Sequence, residues 1–243
     1  MARIAEGAAA SYEKTGYYLL HEPVFTEARF RGLKDLFEDL LENATVRPDK
    51  LDTPHFTEPR LLDYLLDDHI IDLVEPFIGP DIGLWSSHFI CKEASRGPAS
   101  AWHADSDYWN GRFEAFTGIC TLWLAIDASD RENGCMRVIP GSHKTAGHSY
   151  RSVDRRTNTF ASEIVDVDDS KAVYFELEEN ECSFHDSRIV HGAEANTSSR
   201  RRCGYTMRYF SQQMKLNRAH PGNETFRLWH CRGTNLHSNP VVN

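Results

Sequence analysis

The sequence predicts a mainly β domain, a sandwich or barrel, flanked by helices on its N-terminal side. Three observations lead there. Helical periodicity ends near Ile78, short apolar runs parted by turn residues take over from Ile82, and no repeat, low-complexity tract or linker divides the 243 residues. We therefore expect one domain over 1–243, with a helical part at about 10–80, a β core at about 82–212 and an irregular tail.

Along the chain, Thr26 is placed to cap a helix running to Glu42, because Phe30, Leu33, Leu36, Phe37, Leu40 and Leu41 recur at three- and four-residue spacing. A second helix is expected over Pro59–Ile78, where Leu61, Leu62, Leu65, Ile70, Leu73, Val74 and Phe77 make a broad apolar stripe that ends at Gly79-Pro80. Strands are expected at Leu84–Cys91, Gly118–Ile126, Met136–Ile139, Ala172–Phe175, Cys182–Ile189 and Cys203–Phe210. Gly141–Asn158 is polar, basic and turn-rich, and reads as a long loop of the kind that forms lids. The stretch from His220 to the end has only Phe226, Leu228 and Trp229 as anchors, and reads as irregular.

A formal charge of −9 argues against broad attraction to nucleic acid or anionic membrane, so the expected partner is a small molecule, met by a monomer or homodimer. No segment approaches the roughly 20 apolar residues of a membrane span. Six cysteines lie scattered without a CxxC pair, which reads as reduced thiols in a cytoplasm. The first 20 residues carry Glu6, Glu13 and Lys14, so they lack the apolar run of a secretory signal.

Trp102-His103-Ala104-Asp105 sets a histidine and an aspartate two apart, which on an extended strand puts both on one face. One more histidine would complete a 2-His-1-carboxylate set with three open positions on iron(II). In a chain with twelve histidines such a pair also arises by chance. His191 to Arg202 adds weight: a histidine closing one strand and an arginine opening the next stand side by side across a hairpin, and the guanidinium fork suits the distal carboxylate of 2-oxoglutarate. Arg200 and Arg201 read as solvated turn charges. Arg208 shares the parity of Arg202 and would meet either a substrate carboxylate or an internal acid. Tyr108, Trp109, Phe113 and Phe116 form an aromatic cluster that would wall a pocket or fill the core.

Taken in order, Tyr12 to Tyr17, Cys91-Lys92, Trp102 to Asp105 and on to Trp109, Leu122-Trp123-Leu124-Ala125-Ile126-Asp127, Glu132-Asn133-Gly134-Cys135, Val138 to Lys144 and His191 to Arg202 resemble the phytanoyl-CoA dioxygenase family, which includes ectoine hydroxylase. The resemblance covers about residues 10–210 and implies a double-stranded β-helix (jelly-roll, cupin-like) core. It implies iron(II) on His103, Asp105 and His191, and 2-oxoglutarate on Arg202, eleven positions after His191. Trp123 would line the co-substrate pocket, with Thr121 two residues earlier on the same face, and Lys92 and His88 are further co-substrate candidates. Trp109, Tyr108 and Arg208 are candidates for the substrate side. Ala193 stands where relatives often have serine, which removes one expected hydrogen bond.

The activity implied is hydroxylation of a small molecule with consumption of O2 and release of succinate and carbon dioxide. Halogenating relatives have a small residue at the position of Asp105, so its retention favours hydroxylation over halogenation and leaves desaturation or ring formation open. His185, six residues before His191, is the rival ligand, but eleven positions after it stands Asn196, which cannot neutralise a carboxylate. His143 reads as part of a Pro-Gly-Ser-His turn. The alternative reading is a non-catalytic cupin-like binding protein with a vestigial metal site; a zinc hydrolase on the same ligands would lack an evident general base.

Overall fold

The computed structural model describes residues 2–114, 116–145 and 147–242. The chain begins with helix α1 (Ala8–Thr15), strand β1 (Tyr17–Leu20) and helix α2 (Glu27–Glu42). Thr26 is the extended N-cap residue of α2, but its side chain makes no capping bond. The apolar spacing of α2 buries Phe30, Leu33, Leu36 and Phe37, worth about 1.5–3 kcal/mol each at full burial.

After the two-residue strand β2 (Leu51–Asp52), the helix expected over Pro59–Ile78 is broken. A 3-10 turn at Pro59–Leu61 leads into α3 (Leu62–Leu65), and α4 (Asp68–Ile78) starts afresh. Asp67 causes the break: its carboxylate accepts from the His69 N–H, an N-cap that competes with helix continuation.

Strands β3 (Ile82–Lys92), β4 (Ser100–His103), β5 (Ile119–Ala125) and β6 (Met136–Val138) follow, with α5 (Asp105–Tyr108) between β4 and β5. The segment expected to be a long loop holds a 3-10 turn at Ser142–Lys144 and strand β7 (Tyr150–Ser152), which pairs with β8 (Ser162–Ile164). Then come β9 (Val173–Tyr174), β10 (Cys182–Asp186), β11 (His191–Ala193) and β12 (Arg202–Ser211). The tail is more regular than its composition suggested, since β13 (Leu228–Arg232) and β14 (Val241–Val242) join the large sheet.

Eight strands make that sheet, in the order β1-β10-β5-β12-β3-β13-β14 with β2 on β3, and β4-β11-β6-β9 make the smaller one. The two sheets form a jelly-roll core. Alternation along β12 sorts its two faces. Cys203, Tyr205, Met207 and Tyr209 join Leu33 and Phe37 of α2 and Ile70 and Val74 of α4 in the main apolar core. Arg202, Thr206 and Arg208 have the opposite parity, and all three line a cavity. They are buried there too, so the sheet's second face is polar yet dry.

Candidate functional site

His103 and Asp105 do not share a strand. β4 ends at His103, Ala104 keeps an extended backbone (φ −120°, ψ 128°), and Asp105 opens α5. The single extended residue between them still brings both side chains to one side. His191 stands directly opposite His103 in the antiparallel pairing of β11 with β4. His103 Nε2 lies 3.6 Å and His191 Nε2 3.9 Å from Asp105 Oδ1, and the three ligand atoms fall within 4.8 Å of one another.

Each imidazole is oriented by its own backbone. His103 Nδ1–H donates to Ala101 O (2.7 Å) and His191 Nδ1–H to Ile189 O (3.0 Å), which leaves both Nε2 lone pairs facing the carboxylate. Burial, followed by the neighbouring His103, holds the His191 imidazole well below its ordinary pKa, so it is neutral and ready to ligate. Burial would raise the Asp105 carboxyl, but the Arg208 guanidinium outweighs it and keeps the group ionised well below the usual range. Arg208 Nε lies 3.5 Å from Asp105 Oδ2.

The other end of the cavity is built on β12 and β3. Arg202 sits directly across from Lys92, and both are buried. Arg202 Nε and Nη2 donate to Gly134 O (3.1 and 2.7 Å), and Nη1 reaches Ile90 O at 3.4 Å. Gly134 has φ +80°, and a Cβ there would meet Glu194 O at 2.5 Å, so this turn requires glycine. Trp123 lies 5.5 Å from the guanidinium and covers Gly204, where a Cβ would come within 1.9 Å of the indole. Neither Arg202 nor Lys92 forms an ion pair with an acidic side chain among the described residues, and burial lowers the pKa of both. Uncompensated buried cations are costly, so Arg202, which borders the cavity, fits a ligand carboxylate.

His103, Asp105, His191, Arg202, Trp123, His88, Tyr108, Trp109, Arg208 and Ala193 all border one cavity of about 290 Å³. Lys92 and Thr121 do not. Lys92 Nζ is turned onto Pro98 O (2.5 Å) and Glu194 O (2.7 Å), where it ties the His191–Arg202 hairpin to β3. Thr121 lies fully buried between His185 and Arg208, its Oγ1 without a partner among the described residues. His88 Nε2–H donates to Asp49 O (3.1 Å), and burial brings its pKa down to about 4. Arg200 is paired with Asp130, and Arg201 with Asp127 and Glu38, at the surface side of the hairpin. His143 is a buried turn residue bonded to Glu13 O.

Sequence reasoning missed several walls. Phe160 packs at a tilt 4.3 Å from the His103 ring and stacks 5.3 Å from Tyr108, bringing the β7–β8 segment over the triad. His185, the rejected ligand, lines the cavity with its ring 5.1 Å from His191, and burial brings its pKa down to about 4. Arg112 and Trp85 complete the side away from Arg202. A lone aromatic in a turn-rich segment and an arginine in a loop carry no periodic signal, so neither could be placed beforehand.

The sequence model described as phytanoyl-CoA dioxygenase (PhyH) matches residues 12–204. The phytanoyl-CoA dioxygenase domain-containing protein 1 homolog of Caenorhabditis elegans is 29% identical over 160 residues, 63% of this chain and 55% of that one. The chain spans about half the length of most of the curated relatives it matches. EvdO2 from Micromonospora carbonacea var. aurantiaca, complexed with 2-oxoglutarate, superposes with a TM-score of 0.72 at 21% identity, covering 88% of this chain and 91% of that one. The epimerase SnoN, in complex with Fe3+, alpha ketoglutarate and nogalamycin RO, gives 0.73 at 20% identity, covering 91% and 89%. At such identity the likeness is one of fold.

Proposed function

The chain belongs to the phytanoyl-CoA dioxygenase family, and from that premise we propose that it is an iron(II)- and 2-oxoglutarate-dependent dioxygenase that hydroxylates a small molecule. The observation that carries the reading is the pairing, in one cavity, of a preoriented His-Asp-His set with a buried guanidinium that lacks an acidic partner among the described residues. A vestigial binding protein would have no reason to keep both.

His103 and His191, through Nε2, and the Asp105 carboxylate would hold the metal, while Arg202 would receive the distal carboxylate of the co-substrate. Bound there, iron and 2-oxoglutarate supply the oxidising chemistry: O2 is consumed, 2-oxoglutarate leaves as succinate and carbon dioxide, and a substrate C–H becomes C–OH. The chain's own part is positional. Arg202 has five N–H donors; two converge on Gly134 O and one reaches Ile90 O, which leaves one each on Nη1 and Nη2 for a carboxylate. Trp123 excludes water from that end, and Lys92 ties the hairpin that carries Arg202 to β3. His88, which borders the cavity as Thr121 does not, is our candidate for the hydrogen bond that Ala193 cannot make. Trp109, Tyr108 and Arg208 border the substrate's space, and Phe160 shields His103 from solvent.

We read residues 1–243 as one catalytic domain, working in the cytoplasm as a monomer or homodimer. No helix of the described residues is long and apolar enough to cross a membrane. The test is to add iron(II) and 2-oxoglutarate without oxygen, look for the visible charge-transfer band of the chelate, and then admit oxygen. A band followed by succinate release is the expected result; neither, in protein that binds one iron per chain, would overturn the reading.

A further inference from the structure

We propose that the primary substrate is a small organic anion, its negative group received by Arg208 with Arg112 as a second cation bordering the same cavity. This rests on the reading of the site given above, and it follows from where charge is left uncompensated.

Iron(II) and 2-oxoglutarate bring no net charge between them, a divalent cation against a dicarboxylate. The balance therefore falls to the chain. Of the acids bordering the cavity, Asp49 is held by Arg47 through two bonds of 2.8 and 2.7 Å, and the Asp52 side chain is 66% exposed to water. Asp105 alone remains inside, against Arg202, Arg208 and Arg112; Lys50, which also borders the cavity, is turned onto Thr159 O with its side chain 41% exposed. Burial keeps the bordering His88 neutral, so it adds no charge to this balance.

Neither Arg208 nor Arg112 is explained by packing alone. Arg208 is buried, and its Nε finds no hydrogen-bond acceptor among the described residues; Asp105 at 3.5 Å is its one acidic neighbour among them. Arg112 packs its guanidinium against the rings of Trp85 (4.7 Å) and Phe226 (4.6 Å), which touch each other at 4.5 Å. Its Nε donates to Asn223 Oδ1 and its carbonyl accepts from Asn223 Nδ2, which accounts for a latch on the C-terminal tail. That latch leaves Nη2 buried without a partner among the described residues. A buried guanidinium edge with nothing to donate to costs free energy that an incoming carboxylate recovers. Between the two cations runs an aromatic surface: Trp109 lies 5.4 Å from Arg208 and 6.0 Å from Trp85. The space suits a compound with an anionic group on a flat or apolar body.

Benzoate and benzamide share that body and differ in charge, so they serve as probes. Each is titrated calorimetrically into the anaerobic protein loaded with iron(II) and 2-oxoglutarate while the charge-transfer band is followed. Saturable binding of one benzoate per chain is expected, with benzamide about tenfold or more weaker. Arg208→Gln and Arg112→Gln should each weaken benzoate about tenfold or more, and Arg112→Lys should recover part of the loss. Arg112 touches no metal ligand, so its variants remain informative if Arg208→Gln disturbs the iron. Equal binding of benzamide, absence of benzoate binding, benzoate binding indifferent to both arginines, or displacement of the band by benzoate would each overturn the proposal. A band that never forms in the wild-type protein would instead overturn the underlying dioxygenase reading, and this inference with it.

Discussion

Arg202→Ala should cost the protein most of its affinity for 2-oxoglutarate while iron stays bound. The guanidinium is buried, is fixed by Gly134 O through Nε and Nη2, and keeps one hydrogen on each terminal nitrogen for a carboxylate. Removing one partner of a buried, hydrogen-bonded charge pair costs about 2–5 kcal/mol. At about 1.4 kcal/mol per tenfold, affinity should fall by roughly 30-fold to a few thousand-fold. The assay is anaerobic titration of 2-oxoglutarate against the visible band, with metal content and thermal midpoint as controls for folding. Arg200→Ala and Arg201→Ala, whose side chains are engaged by Asp130 and by Asp127 with Glu38, should change binding by less than about threefold. An Arg202→Ala protein that is folded, iron-loaded and within about threefold of wild type would refute the assignment of the co-substrate carboxylate.

Three further outcomes follow from the same geometry. His103→Ala and His191→Ala should each lose stoichiometric iron(II) and the band, since two remaining ligands hold the ion poorly; full metal content with an unchanged spectrum would remove these residues from the ligand set. With a substrate in hand, the wild-type reaction in excess chloride should add one oxygen, because Asp105 occupies the position a halide would need, and a chlorinated main product by mass spectrometry would contradict that. His55, packed on Trp229 and bonded through Nδ1 to Ser87 Oγ, is held neutral by burial with its pKa down to about 3. Its folded pKa lies below the unfolded value of about 6.5, so its contribution is full above that pH and is lost as pH falls toward 3. At pH 5 the loss is about 2 kcal/mol. The thermal midpoint should therefore drop between pH 7 and pH 4, and less steeply in His55→Gln; parallel curves would show that another group governs acid lability.

What the sequence made legible was what lies close along the chain. The α2 stripe, the strand parities of β12 and the order of motifs from His103 to Arg202 are local patterns, and each has its counterpart in the structure. Misreadings arose where a local signal had two uses. Asp67 sits within an apolar helical stripe but caps a new helix instead of extending the old one. Lys92, a co-substrate candidate from the resemblance, does pair with Arg202 across β3 and β12, yet its flexible stem carries Nζ to two backbone carbonyls outside the cavity. Leu228–Arg232 was read as irregular because its polar surroundings hid a strand that pairs with β3 across 140 residues of chain or more.

The same distinction explains why the class of reaction is readable while the substrate is not. The proposed metal and co-substrate positions lie on a few short segments whose spacing strand geometry fixes: His191 faces His103 across β4 and β11, and Arg202 follows at the start of β12. The substrate's walls come from Arg112 in a turn, Phe160 between β7 and β8, and Phe226 in the tail, segments that meet only once the chain has folded. No spacing rule links them. Their chemistry becomes visible when charge is counted over the whole cavity, where Arg208 and Arg112 are left without an acid beyond Asp105 among the described residues. That surplus is why charge, rather than size or shape, is the first property by which candidate substrates should be sorted.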